Sequence, residues 1–148
     1  EYKQRQFQNN KSKNSYDQQT TNATVQAGCT LSDIDYELLP YQRAVPIGVV
    51  GITGIGGLAL HGGYGLLTRY YGLTVDNILQ VEIVTGKGAL VMSWVAFHPN
   101  KQLKIFEISG EILIANENQN ADLYWAVRGA GSNVGVVTNI VFKVITQK

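Results

Sequence analysis

The chain has 148 residues, 45% of them hydrophobic, 16% charged and 16 of them glycine, a composition that suits one globular domain and is too short for two comfortable cores. A formal charge of +1, from 12 basic and 11 acidic side chains, supplies no drive toward phosphate backbones or anionic membranes, so nucleic acid is not expected as a partner. One cysteine and two histidines exclude an internal disulfide framework and a Cys/His zinc site, so no metal is expected.

No apolar run approaches the ~20 residues of a membrane span, and no apolar stretch follows a basic start as it would in an export signal. The sequence itself leaves the compartment open. It begins at Glu1 rather than methionine, so a partial or processed chain is expected.

Residues 1–22 carry nine Asn or Gln, four Lys or Arg, and only Tyr2, Phe7 and Tyr16 as large apolar groups. That offers too little buried area to offset the entropy of ordering, and predicts a polar, disordered arm ahead of a domain over 23–148. From Ala23, ATVQA alternates as a short strand. LSDIDYELL then reads as a helix that stops at Pro40, with Thr30 as N-cap, Asp33 at the third helical position and Leu31, Ile34, Leu38 and Leu39 on one face. Cys29 precedes it, and a small buried thiol is the expectation.

PIGVVGITGIGGLALHGGYG, between Pro46 and Gly65, has no charged residue and holds eight of the 16 glycines. It predicts a conformationally demanding loop instead of a long helix or strand. Tyr64 to Tyr71 offers a short helix closed by Gly72. Val75 to Thr85 predicts a half-buried strand with Leu79, Val81, Ile83 and Thr85 on one face and Gln80, Glu82 and Val84 on the other.

GEILIA, from Gly110, predicts the next strand, yet residues 86–109 intervene where a short hairpin turn belongs. Their middle, ALVMSWVAF, is almost wholly apolar. An insertion is expected there, of the kind an intron translated in frame would produce. ADLYWAVRG then reads as a helix with Leu123, Trp125, Ala126 and Val127 apolar, Asp122 in its first turn, Arg128 in its last and Gly129 past its end. Val134 to Val144 is a long β-branched strand. Together these predict an α+β fold, a mixed sheet covered by short helices.

A glycine loop without lysine can bind a diphosphate through backbone N–H groups alone. No lysine lies between Lys13 and Lys87, so a Walker A nucleotide loop is excluded. Gly54-Ile-Gly56-Gly-Leu-Ala59, with Asp76 twenty residues after Gly56, fits a Rossmann fingerprint for NAD(P). That fingerprint must open a helix, which Gly62, Gly63 and Gly65 would break, so it is the lesser alternative. A third reading is a packing corner where backbone meets backbone with no ligand.

The motifs GIGGLALHGGYGLLTRYYGLTVDN, NADLYWAVRGAGSNVGVVT and AGCT resemble the FAD-linked oxidases of the vanillyl-alcohol-oxidase type, in their berberine-bridge-enzyme-like branch. The resemblance covers most of 23–85 and 110–144. It implies part of a PCMH-type FAD-binding domain whose glycine loop wraps the FAD diphosphate. By it, Thr53, Gly54, Gly56, Gly57 and Leu58 would line the diphosphate. Gly63 and Gly65 would let the chain pass close to the cofactor, and Gly135, Val136 and Val137 would touch it through backbone groups. Asp76 and Asn77 match the family's YGLxxDN turn, where the acid orders the loop.

Two departures bear on flavin attachment. Bicovalent members carry a cysteine in the place of Val50, and the histidine of the family's other link follows a basic, glycine-rich segment that residues 1–22 do not contain. Either that segment is missing or FAD is held without a covalent bond, and non-covalent FAD is the expectation. His61 and His98 are expected to have no catalytic task.

The implied activity of the complete enzyme is transfer of a hydride from an alcohol, amine or sugar carbon of a small-molecule substrate to the flavin. Its catalytic base and substrate domain would lie past Lys148, so no catalytic residue is assigned. Secretion fits the resemblance. The alternative is a non-catalytic truncated relic that binds FAD weakly or not at all.

Overall fold

The computed structural model describes residues 15–17, 21–86 and 110–146. Its centre is a five-stranded sheet in the order β1-β2-β6-β4-β5, formed by Ser15–Asp17 (β1), Asn22–Gln26 (β2), Ile78–Gly86 (β4), Gly110–Asn116 (β5) and Val136–Lys143 (β6). Arg43–Ala44 (β3) and Ile145–Thr146 (β7) form a separate two-stranded ladder. The helices are Leu31–Leu38 (α1), Ile55–Ala59 (α2), Thr68–Tyr71 (α3) and Ala121–Ala130 (α4).

The α+β architecture is as expected, but every strand pairing is antiparallel among the described residues instead of mixed. A five-residue α2 inside an antiparallel fold also removes the Rossmann alternative, which needs parallel strands joined by a continuous helix.

One face of the sheet carries Val25, Ile78, Val81, Ile83, Ile140 and Phe142, which share a single core with Leu31, Ile34, Ile55, Tyr124 and Val127 from the helices. Two irregularities set its phase. Ile78 pairs with Phe142 and Gln80 with Val141, so Leu79 is an extra residue; Glu82 pairs with Asn139 and Ile83 with Val137, so Thr138 is another. Each bulge lets side chains three apart point inward, Ile78 with Val81 and Val137 with Ile140. The expectation that Leu79 shares the inner face is thereby corrected: Leu79 is 38% exposed and Ile78 is 1% exposed.

Within the segment expected as a disordered arm, Ser15–Asp17 is an edge strand paired with β2. Tyr16 accepts from Arg43 Nε at 2.9 Å and its ring lies 4.9 Å from that of Tyr41. Asn22, the last residue of the expected arm, opens β2; residues 1–14 and 18–20 lie outside the described residues, as does 87–109. Gly86 faces Gly110 at the open end of the β4–β5 hairpin, so the expected insertion joins two residues already in register.

Leu39 falls off the apolar face of α1 because the chain tightens into a 3-10 turn over Leu39–Tyr41 at Pro40. Trp125, expected on the apolar face of α4, is 79% exposed. Tyr124 takes the inward position and donates its hydroxyl to the Ile78 carbonyl at 2.6 Å. The helix breaks at Arg128 and Gly129, whose φ of +147° suits glycine alone.

Candidate cofactor site

The glycine loop is stitched to the turn that follows β2. Leu31 N donates to Thr53 O at 3.0 Å, Ile55 N to Cys29 O at 2.8 Å and Gly56 N to Ala27 O at 3.1 Å. That turn is itself tied to β6, since Ala27 N donates to Thr138 O at 2.9 Å. Three segments distant in sequence therefore meet at one end of the sheet. They wall an open hollow of about 400 Å³ lined by Ala27, Gly28, Gly56, Gly57, Leu60, His61 and Gly135 to Val137. None of these wall residues is a carboxylate, and His61, with Nδ1 2.9 Å from Gly57 O, is the one titratable side chain among them.

The glycines of the region divide by cause. A Cβ on Gly56 would stand 2.8 Å from Ala27 O, and one on Gly135, at φ +152°, 2.5 Å from Val84 O. Gly63 lies against Thr74 and Leu58, and Gly65 against the Ile47 carbonyl. Close approach of chain to chain accounts for all four. At Gly28 and Gly57 a Cβ would meet nothing within 4 Å, and neither has a left-handed φ. Both face the hollow, and nothing in the protein's own packing requires glycine there.

Of the ten residues expected to bind cofactor, Gly56, Gly57, Gly135, Val136 and Val137 come together in the wall. Thr53, Gly54 and Leu58 belong to the same loop but do not line the hollow; Thr53 N donates to Val50 O at 2.9 Å and Leu58 N to Gly54 O at 3.3 Å. Gly63 and Gly65 lie outside it, Gly65 N donating to Thr68 Oγ1 at 2.9 Å. A run of successive bare amides is therefore not what the loop presents. Among the described residues the Gly57 amide has no acceptor, whereas those of Thr53, Ile55, Gly56 and Leu58 are satisfied internally.

Ala27, Gly28, Leu60 and His61 also line the hollow and were not expected to. The AGCT motif was the available signal for the first two, but it reads locally as a helix entrance. Asp76 orders its turn as expected, accepting from Leu73 N at 2.8 Å, while Asn77 Nδ2 donates to the carbonyls of Tyr71 and Leu73 at 3.0 and 2.9 Å. Cys29 is buried, as expected, and is not part of the wall. Among the described residues no group of His, Cys, Asp and Glu is placed to hold a metal.

Comparison with known proteins adds independent findings. The profile of the family described as FAD binding domain matches residues 7–93. The chain is 34% identical over 133 residues to the FAD-linked oxidoreductase pgmH of Aspergillus terreus, covering 90% of this chain and 23% of that protein. It is 37% identical over 128 residues to the xylooligosaccharide oxidase of Thermothelomyces thermophilus, covering 86% and 21%. The structure of Physcomitrella patens BBE-like 1 superposes with a TM-score of 0.74 at 32% identity, over 91% of this chain and 25% of that one. The chain thus spans about a quarter of the length of the relatives it matches.

Proposed function

The chain belongs to the FAD binding domain family, and on that premise we propose that the glycine-walled hollow receives the diphosphate-bearing middle of FAD in an FAD-linked oxidase. The single observation that carries this is the pair Gly28 and Gly57: both leave open space on the wall of a hollow where the protein itself needs none. A wall without carboxylates suits an anionic ligand, and the Gly57 amide is available to it. Gly135, Val136 and Val137 contribute the β6 part of the wall.

Bound FAD supplies the hydride-accepting chemistry, with the protein giving position and electrostatics. The complete protein would take a hydride from an alcohol, amine or sugar carbon, and a relative named as a xylooligosaccharide oxidase favours the sugar. The residues of this chain would hold FAD without a cysteinyl bond. Val50 offers no thiol, and the sulfur of Cys29 is buried away from the wall.

Gly57→Ala tests the site. The added methyl has free space and alanine is favoured over glycine in a helix by about 1 kcal/mol, so the apoprotein becomes more stable. The same methyl intrudes on the cofactor's space and weakens FAD binding at least about tenfold. Thermal unfolding and quenching of FAD fluorescence read the two effects. A variant that binds FAD as tightly as the parent removes Gly57 from the site. A colourless parent chain that ignores added FAD favours the non-catalytic relic.

A further inference from the structure

Glu82 lies on β4, on the face of the sheet turned away from the core, opposite the β6 bulge. Its carboxylate accepts from both residues of that bulge, the hydroxyl of Thr138 and, at 2.8 Å, Nδ2 of Asn139. The bulge is also where the hollow's wall is assembled. Thr138 follows directly on Gly135, Val136 and Val137, and its carbonyl accepts from the amide of Ala27, another wall residue, at 2.9 Å. Gly135 itself is held close to Val84 O, two residues along β4 from Glu82.

A bulge is a choice of register. Without something to hold two residues of β6 opposite one of β4, the pairing can slide by one, and a one-residue slip turns alternate side chains to the other face. Val137, now 8% exposed, would then leave the core. Two donors on consecutive bulge residues converge on one carboxylate oxygen, Oε1 of Glu82, and fix the slip at one position.

We infer that Glu82 is a positioning residue for the cofactor wall: by locking the Thr138 bulge it aims Gly135 to Val137, and through Thr138 the Ala27 amide, at the hollow. The two donated hydrogen bonds hold its carboxyl below the usual glutamate range, so the acceptor form is the one present at neutral pH. The role in binding rests on the reading of the hollow as an FAD site, whereas the lock on the wall does not.

The experiment compares the 148-residue chain with Glu82→Ala, Glu82→Gln and the pair Glu82→Gln/Asn139→Asp. Amide hydrogen exchange is followed without cofactor, and FAD affinity by fluorescence quenching. Glu82→Ala is expected to raise exchange at Ala27 and Val137 relative to the rest of the sheet and to weaken FAD binding about tenfold. Glu82→Gln, which keeps an oxygen for both donors but loses the charge that strengthens the two bonds, should fall between this variant and the parent, and gives the measurement if Glu82→Ala does not fold. The pair exchanges donor and acceptor: the amide introduced on β4 would donate to the carboxylate introduced on β6, while the oxygen of that amide accepts from Thr138. It should restore both protection and affinity.

Exchange that rises uniformly over the sheet, or a pair that recovers stability without recovering FAD affinity, would overturn the positioning role. Failure of the parent to bind FAD would instead overturn the cofactor reading. In that event the lock on the wall stands or falls on exchange at Ala27 and Val137 alone.

Discussion

At Thr74 the chain buries a hydroxyl with no partner: the residue is 1% exposed and Oγ1 has no hydrogen bond. Leaving such a group unsatisfied costs roughly 1–3 kcal/mol, and Thr74→Val removes the hydroxyl while keeping the shape. The variant is expected to unfold in urea at a free energy about 1 kcal/mol higher than the parent. A loss of stability would mean that the hydroxyl is satisfied after all, by a buried water. At this scale the sequence was legible where chemistry is local. Asp76 and Asn77 order their own turn, and Gly129 ends its helix at positive φ. It was illegible where the more apolar of two neighbours stays outside. Trp125 is exposed, and Tyr124 goes inside, where its hydroxyl finds the Ile78 carbonyl.

Among the elements, α1 shows how a short helix is held. Eight residues are too few to be helical alone. Leu31, Ile34 and Leu38 bury one face, and a capping box closes the start, Asp33 N donating to Thr30 Oγ1 at 3.3 Å and Thr30 N to Asp33 Oδ2 at 2.8 Å. Thr30→Ala should cost about 1 kcal/mol and Thr30→Ser little, as read by thermal unfolding. An unchanged alanine variant would show that packing alone holds the helix. This cap could be read from Thr30 and Asp33 because its partners lie three residues apart. The bulges at Leu79 and Thr138 could not, since the extra residue is defined only against the partner strand.

For the molecule as a whole, the β4–β5 connection is the unusual feature. Gly86 and Gly110 already face one another, so replacing 87–109 with Asn-Gly should close a tight hairpin without disturbing either strand. Shortening the loop recovers about 2 kcal/mol of closure entropy, at about 0.6 kcal/mol for each halving, and the unfolding midpoint should rise accordingly. A shortened chain that fails to fold would show that 87–109 contributes to the core. A spliced transcript that still encodes the segment would separately remove the in-frame intron. The sequence by itself determined the element types, the capped helix, the absence of charge from the glycine loop and the family, because propensities, caps and ordered motifs are properties of neighbouring residues. Only the tertiary structure decided which glycines serve packing and which leave space. Gly65 and Gly57 look alike in the chain, but one is pressed against the Ile47 carbonyl and the other faces an open hollow, because what stands opposite each is brought there from another part of the chain.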